Sequence, residues 1–271
     1  MDNRPVGVFD SGLGGLTAAR KIRSILPSED IIYFGDTSRV PYGGRSREIL
    51  LKYARQDVRF LRSFDIKAIV VACGTVSTTC LPQLQAENDL PVLGVVEPAC
   101  RRAVAVSKTR HVGLIATAAS VRSGTYEQII HALDPDVTVT ARACPLFVPL
   151  VENGRYERGD VVIETVAREY LEPIRGSGID TLILGCTHYP LLMDLISEIM
   201  GPEVTLIDTG EEAAWELKRT LKAKDLLSDR AQEGTTTLYA SDQPEDFGLM
   251  AKHFLQEELT SPVLQVNIDR Y

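Results

Sequence analysis

The sequence lacks the features that mark a membrane, secreted or metal-binding chain. No apolar run approaches the length of a bilayer span, and the few residues before Val6 do not form a secretory leader. The five cysteines are an odd number, stand far apart and include no C-x-x-C pair, so neither a disulfide framework nor a structural zinc site is expected. The four histidines are scattered as well. We therefore expect a cytoplasmic protein with reduced thiols and no metal.

Basic charge is also scarce. The chain has 29 Lys and Arg residues against 37 Asp and Glu residues, which gives a net charge of −8 and a pI near 5.1. Proteins that hold phosphate backbones usually present a basic face, so we expect no nucleic acid partner. With 271 residues, 44% of them hydrophobic, the chain is long enough for one large domain or two modest ones.

Two apolar runs each end in a cysteine. One is Thr181–Gly185 before Cys186, and the other is Ala68–Ala72 before Cys73. Such short runs suit buried parallel strands, and ligands of open α/β sheets collect beyond the carboxyl ends of those strands. Each cysteine could instead be a small core residue, with His188 merely capping a helix. Two thiols from separate α/β units could also face each other as base and acid, as a two-base racemase requires.

A glycine-rich loop follows the first predicted strand, at Asp10. A dinucleotide fingerprint that starts at Gly12 fails at Thr17, and no phosphate-binding P-loop pattern occurs anywhere. One alternative is that backbone N–H groups near the helix start at Leu16 cradle a carboxylate while Asp10 receives an ammonium group. The competing interpretation is that Asp10 is a plain helix N-cap.

The alternation of apolar runs and helical spacing predicts an α/β fold with two doubly wound domains, parallel sheets and internal pseudo-symmetry. The first domain is predicted to span 1–97 plus 209–271, and the second 98–208. The active site is expected in the cleft between them. Within this frame, one helix is predicted from about Thr75 to Glu87, and a rigid apolar segment from Cys144 to Glu152.

Six motifs resemble those of glutamate racemase and follow the family order along nearly the whole chain. They are Val8–Gly15, Tyr33–Asp36, Pro41–Gly43, Val71–Cys73, Phe147–Glu152 and Gly185–Pro190. Both cysteine motifs together with the D-S-G-x-G-G opening form a specific set. The resemblance implies a cofactor-independent proton transfer at Cα of glutamate, which provides D-glutamate for peptidoglycan. It implies glutamate as the small-molecule partner and allows a homodimer.

The resemblance also implies roles for individual residues. Cys73 and Cys186 occupy the places of the catalytic thiols, and Asp10, His188 and Glu152 those of the groups that assist them. The positions implied for substrate binding are Asp10, Ser11, Pro41, Tyr42, Gly43, Gly74, Thr75, Thr117, Ser120, Thr187 and His188. Two positions depart from the family pattern: Gly74 stands where many members have asparagine, and Ser120 stands where many have threonine.

Two other functions remain open at this stage. One is a racemase of the same superfamily that acts on aspartate or another amino acid. The other is a binding or regulatory protein, for instance an inhibitor of a DNA-handling enzyme, that retains the fold. The presence of both Cys73 and Cys186 argues against an inactive relative but does not exclude a second role.

Overall fold

The computed structural model describes all residues from Met1 to Tyr271 and divides into two compact units. Unit 1 comprises Met1–Val95 together with Gly210–Tyr271, and unit 2 comprises Val96–Thr209. None of the helices combines the length and the apolar character that crossing a bilayer requires.

Each unit contains one sheet in which all paired strands are parallel. The strands are β1 Val6–Asp10, β2 Ile31–Gly35, β3 Ala68–Val71, β4 Val92–Gly94, β5 His111–Ala116, β6 Thr138–Ala143, β7 Thr181–Gly185, β8 Thr205–Asp208, β9 Thr236–Ala240 and β10 Leu264–Gln265. The order is β10-β9-β2-β1-β3-β4 in unit 1 and β6-β5-β7-β8 in unit 2. The predicted α/β class with parallel sheets is confirmed, and the matching orders β2-β1-β3-β4 and β6-β5-β7-β8 agree with the predicted pseudo-symmetry.

Helices connect the strands, as parallel pairing requires. They are α1 Leu16–Ile25, α2 Arg47–Leu61, α3 Gly74–Thr79, α4 Leu81–Ala86, α5 Val96–Val106, α6 Ala118–Ser123, α7 Thr125–Leu133, α8 Phe147–Glu152, α9 Val161–Arg175, α10 Met193–Met200, α11 Thr209–Ala223 and α12 Pro244–Leu255. Short 3₁₀ turns occupy Thr37–Arg39, Tyr42–Gly44, Tyr189–Leu192 and Ile268–Arg270.

Proline explains two differences from the predicted elements. The single helix predicted from Thr75 to Glu87 is wrong, because the chain breaks at Cys80 and restarts with Pro82 in the first turn of α4. Proline has no N–H to continue the hydrogen-bond ladder. Conversely, Phe147–Glu152, which was predicted only as part of a rigid apolar segment, forms the helix α8. Pro149 lies in its first turn, where the missing N–H costs little.

The central strands are buried on both faces. Every residue of β1, β3 and β7 is buried, which their β-branched and leucine-rich composition allows. Since the strands of each sheet are parallel, their carboxyl ends lie along one edge. Asp10, the last residue of β1, and Cys73, which closely follows the neighbouring strand β3, therefore lie at the same edge in unit 1.

The opposite edge of the unit 1 sheet holds a buried ion pair. Lys67 immediately precedes β3, and its ammonium group contacts the carboxylate of Glu29. The side chains are 0% and 2% exposed, so neither charge is solvated by bulk water. Lys67 also donates to the carbonyl oxygen of Asp2. Removing one partner would leave the other charge buried without compensation.

We predict that Lys67→Met lowers the free energy of unfolding by about 3 to 5 kcal/mol, because the Glu29 carboxylate loses its cation. The double variant Lys67→Met/Glu29→Gln should recover more than half of that loss, since it removes both charges and keeps similar shapes. Urea unfolding followed by circular dichroism measures both. Equal losses in the single and the double variant would contradict the prediction.

Candidate active site

The glycine loop after β1 closes around Asp10. The Asp10 side chain is 1% exposed, and its Oδ2 accepts from the backbone N–H of Gly12 at 3.3 Å and of Gly15 at 2.9 Å. Tyr33 donates its hydroxyl to the Gly12 carbonyl oxygen at 2.7 Å. A Cβ at Gly15 would lie 2.5 Å from the Asp10 Cβ and 2.8 Å from the Tyr33 hydroxyl oxygen. The tight loop therefore requires glycine at position 15.

This geometry fits neither interpretation of the loop completely. Gly15 is the N-cap residue of α1 and no side chain caps that helix, so Asp10 is not a plain N-cap. The N–H groups of Gly12 and Gly15 bind the carboxylate of Asp10 itself. These two donors are therefore used within the loop and do not cradle an external carboxylate. The Asp10 carboxylate is fixed in orientation as a result.

Cys73 lies next to this loop at the end of β3. Its Sγ is 3.7 Å from the hydroxyl oxygen of Ser11. Burial, and after it the negative charge of Asp10, raises the pKa of the Cys73 thiol above its usual range, although hydrogen bonds from Val76 and Ser11 oppose the rise. Cys73 is therefore a protonated thiol at neutral pH and is suited to donate a proton.

Cys186 has a partner of the opposite character. The Nδ1 of His188 lies 3.8 Å from the Cys186 Sγ, and the Nε2 of His188 lies 2.9 Å from Oε1 of Glu152. Burial lowers the pKa of His188, but its contacts with Cys186 and Glu152 outweigh burial and raise the pKa to about 10. The imidazole is therefore cationic at neutral pH. The ring therefore places a positive charge and a nitrogen that can exchange a proton beside the Cys186 sulfur.

The interpretation of His188 as a simple helix cap is wrong. His188 does precede the short turn Tyr189–Leu192, but its side chain makes no capping hydrogen bond there. Both ring nitrogens instead serve Cys186 and Glu152. Glu152 reaches the ring from the end of α8.

The remaining predicted residues lie near these strand ends within their own units. In unit 2, Thr117 follows β5, caps α6 by accepting from the Ser120 N–H at 3.3 Å, and donates its hydroxyl to that of Ser120 at 3.1 Å. Thr75 and Thr187 are each 5% exposed and closely follow the two cysteines. Gly74 is buried as the first residue of α3.

Residues Pro41, Tyr42 and Gly43 lie in the loop after β2. The phenol of Tyr42 is buried, donates to Asp36 and lies 3.2 Å from Oδ2 of Asp57. The Tyr42 side chain is therefore committed to contacts inside unit 1.

Three residues close to these groups were not singled out from the sequence as site residues: Tyr33, Arg39 and Asp57. Burial, and after it the negative charge of Asp10, raises the pKa of Tyr33 well above its usual value, so its phenol keeps the proton that it donates to the glycine loop. The sequence did contain a pattern that could have identified Asp57. This residue falls on the buried apolar stripe of α2, between Ala54 and Leu61. A carboxylate in such a stripe requires a buried partner.

The structure thus brings together two constellations, one in each unit. Asp10, Ser11 and Cys73 form the first, and Glu152, Cys186 and His188 form the second. No group of three or more histidine, cysteine or acidic side chains is placed to hold a metal ion. Each constellation pairs a buried thiol with a fixed ionisable group, which is the composition of a proton-transfer site.

A family model described as Asp/Glu/Hydantoin racemase matches residues 20–217, a range that includes both cysteines. The chain belongs to the Asp/Glu/Hydantoin racemase family. The recognition made from the motifs is confirmed, and the protein is a racemase.

Individual relatives extend over the whole racemase chain. The glutamate racemase of Geobacter metallireducens is 44% identical over 99% of this chain and 98% of its own length. A crystal structure of the Francisella tularensis glutamate racemase in complex with D-glutamate matches with a TM-score of 0.91, at 38% identity and full coverage of both chains. The Thermus thermophilus glutamate racemase in complex with β-chloro-D-alanine matches with a TM-score of 0.89, at 43% identity and full coverage of both chains.

We predict that Glu152→Gln lowers the pKa of His188 from about 10, because the variant loses the carboxylate that accepts from Nε2. Titration of the His188 ring signals by nuclear magnetic resonance measures this pKa. Glu198→Gln is the matched control, since Glu198 is an exposed carboxylate in the same unit that pairs with Arg158. An unchanged His188 titration in Glu152→Gln would contradict the prediction.

The same contact predicts a pH dependence of stability. The folded-state pKa of His188 lies above the reference value of 6.5, so the contact's contribution is fully present below that pH and is lost as pH rises through about 10. The difference in unfolding free energy between the unaltered protein and Glu152→Gln should therefore shrink as pH rises from 6 towards 10.

Proposed function

We propose that this racemase interconverts L- and D-glutamate without a cofactor, with Cys73 and Cys186 as the two proton-transfer groups. The observation that carries the proposal is the contrast between the thiols. Cys73 lies beside a carboxylate, Asp10, and Cys186 lies beside a cationic imidazole, His188. In this proposal Cys73 donates a proton to one face of the substrate and Cys186 accepts one from the other. The relatives of similar length that are named glutamate racemases support glutamate as the substrate.

Inversion at Cα explains why two groups are needed. A proton leaves Cα on one face, and a different proton must arrive on the opposite face. A single base would return its proton to the face it came from and retain configuration. An unperturbed thiol has a pKa of about 8.5, so each cysteine needs a partner that controls its protonation. Asp10 and His188 are those partners in this proposal.

In the direction from L- to D-glutamate, the Cys186 thiolate takes the proton from Cα, and the Cys73 thiol gives its proton to the opposite face. The C–H bond on one face breaks and leaves its electron pair on Cα as a carbanion, and the new C–H bond then forms on the other face. Cys186 ends as a thiol and Cys73 as a thiolate. The reverse direction starts from that second state, with Asp10 able to accept the Cys73 proton beforehand. This assignment of Cys73 to D-glutamate and Cys186 to L-glutamate follows the family resemblance.

The carbanion formed at Cα needs donors around the α-carboxylate. The hydroxyls of Thr75 and Thr187 and nearby backbone N–H groups are the candidates, and both threonines are buried. Fixed donors in a pocket that excludes water stabilise developing charge without reorganisation. Asp10 is the candidate acceptor for the substrate ammonium group. Gly74 offers only its backbone where many family members have asparagine, so we expect an altered affinity with the same reaction.

The product determines the physiological role that we propose. D-Glutamate is a component of peptidoglycan, so the reaction would supply that precursor for the cell wall. Metal ions and pyridoxal phosphate have no part in this scheme, since both proton transfers use side chains of the chain itself.

We predict that the purified protein racemises L-glutamate and D-glutamate without added pyridoxal phosphate or metal, and that dialysis against EDTA leaves the rate unchanged. Loss of optical rotation measures the reaction. L-Aspartate and L-alanine are the comparison substrates, and a faster reaction with L-aspartate would replace glutamate as the proposed substrate. Complete loss of activity after EDTA treatment would contradict cofactor independence.

We predict that Cys73→Ser and Cys186→Ser each reduce glutamate racemisation by several orders of magnitude, because serine is a far weaker acid than cysteine and each face of Cα needs its own group. Each variant should still catalyse loss of HCl from one enantiomer of β-chloroalanine. That reaction requires only removal of the Cα proton and departure of chloride.

The enantiomers are expected to differ between the two variants, with Cys186→Ser acting on β-chloro-D-alanine and Cys73→Ser on β-chloro-L-alanine. Chloride release measures the elimination. Cys144→Ser is the matched control, because Cys144 is another buried cysteine of unit 2 without a proposed role. If both catalytic variants process the same enantiomer, the opposed two-thiol mechanism is wrong.

A further inference from the structure

A buried polar cluster lies beneath the loop that carries Pro41, Tyr42 and Gly43. It joins three parts of unit 1: the turn Thr37–Arg39, the helix α2 and the loop after β9. The polar cluster consists of Asp36, Arg39, Tyr42, Gln56, Asp57 and Ser241. None of these residues except Tyr42 has a part in the proposed proton transfer or substrate binding.

Arg39 is the centre of the polar cluster. Its guanidinium donates Nε–H to Oδ2 of Asp36 at 2.5 Å, one Nη–H to Oε1 of Gln56 at 2.6 Å and another to Oδ1 of Asp57 at 2.9 Å. Its side chain is only 11% exposed. The guanidinium carbon also lies 4.2 Å from the ring centroid of Tyr53. A planar fork of donors is needed to reach three acceptors at once, which lysine cannot do.

Tyr42 connects the substrate loop to the polar cluster. Its hydroxyl contacts both Asp36 and Asp57, so its buried side chain anchors the loop to the polar cluster. Ser241 donates its hydroxyl to the second oxygen of Asp36 at 3.0 Å, and its hydroxyl accepts from the Ser38 N–H at 2.8 Å. The loop is therefore tied to Asp36 at two places, directly through Tyr42 and through Ser241 at Ser38.

The charges in the polar cluster explain how two buried carboxylates coexist. Arg39 supplies one positive charge, and Asp36 and Asp57 are both 0% exposed. Burial, and after it the charge of Asp36, raises the pKa of Asp57 well above its usual value. A protonated Asp57 can donate to the Tyr42 oxygen while Tyr42 donates to Asp36. One cation then balances one anion.

We propose that Arg39 and Asp57 are positioning residues that hold Pro41, Tyr42 and Gly43 in the substrate-binding conformation. This inference rests on the proposed function, because the binding role of these three residues comes from the family resemblance. Neither positioning residue touches the substrate in this proposal. Their loss should weaken substrate binding and leave the proton-transfer groups Cys73 and Cys186 in place.

The test compares KM and kcat for L-glutamate in variants of the full-length protein. Arg39→Met and Asp57→Leu keep similar side-chain volumes but remove the hydrogen bonds, so each should raise KM by about tenfold and change kcat by less than about threefold. Asp57→Asn keeps a neutral side chain that can both accept from Arg39 and donate to Tyr42, so its KM should stay within about twofold of the unaltered protein. Arg39→Lys keeps the charge without the fork and should raise KM to a smaller extent than Arg39→Met.

The double variant Lys67→Met/Glu29→Gln is the control for general destabilisation. It removes a buried ion pair of the same unit at the opposite edge of the sheet, and it should leave KM unchanged. Equal KM increases in this control and in Arg39→Met would overturn the inference, as would an unchanged KM in Asp57→Leu. If Arg39→Met does not fold, Arg39→Lys and Asp57→Leu decide the outcome.

These outcomes are distinct from a failure of the proposed function. If the unaltered protein does not racemise glutamate at all, the substrate assignment fails before any variant is compared. If the unaltered protein racemises glutamate and the variants retain its KM, only the positioning role is wrong. A similar increase in KM for Asp57→Asn and Asp57→Leu would also overturn the inference, because the hydrogen bonds of a neutral side chain would then not suffice.

Discussion

Burial opposes the ionisation of a thiol, and the arrangement of polar groups in both units follows from that conflict. A cysteine in an apolar pocket favours its neutral form, yet a cysteine that removes a proton must first become a thiolate. Cys73 and Cys186 are 4% and 8% exposed, so water screens neither of them effectively. Beside Cys73, the carboxylate of Asp10 reinforces the neutral thiol. Beside Cys186, the cationic ring of His188 faces the sulfur. Similar degrees of burial are thus combined with a negative neighbour in one unit and a positive neighbour in the other.

Each of these partners is itself held by a further group. Asp10 is fixed by the N–H groups of Gly12 and Gly15, and His188 is fixed by Glu152. A buried charge that is fully hydrogen-bonded keeps its orientation when a proton moves nearby, which lowers the cost of reorganisation. The need for fixed groups beside the thiols also constrains residues that do not contact the thiols themselves. A side chain at position 15 would collide with Asp10, so the demand on one carboxylate determines a glycine in the loop.

Much of the fold and of the candidate site could be predicted from the sequence, for physical reasons that differ between residues. The β-branched runs before Cys73 and Cys186 predicted buried parallel strands, and the strand ends predicted where the thiols emerge. The spacing of apolar residues alone did not predict the helix α8, because a proline such as Pro149 is usually read as a sign that no helix is present. The contacts of Arg39 with Asp57 depend on how a loop folds against a helix 18 positions away along the chain, which no local pattern reveals. The substrate and the residue roles came from resemblance to a family and not from spacing.

The two sheets place their cysteines at equivalent points, and the difference in chemistry arises from the neighbouring strand. In the orders β2-β1-β3-β4 and β6-β5-β7-β8, each cysteine follows the third strand in chain order, next to the first. The register pairs Phe9 with Val71 in unit 1, so Asp10 lies across from Ala72, the residue before Cys73. In unit 2, Ala116 pairs with Gly185, the residue before Cys186, so the place that corresponds to Asp10 holds an uncharged alanine. The charged group beside Cys186 comes instead from its own loop, as His188. The same topology therefore places a carboxylate beside one cysteine and an imidazole beside the other.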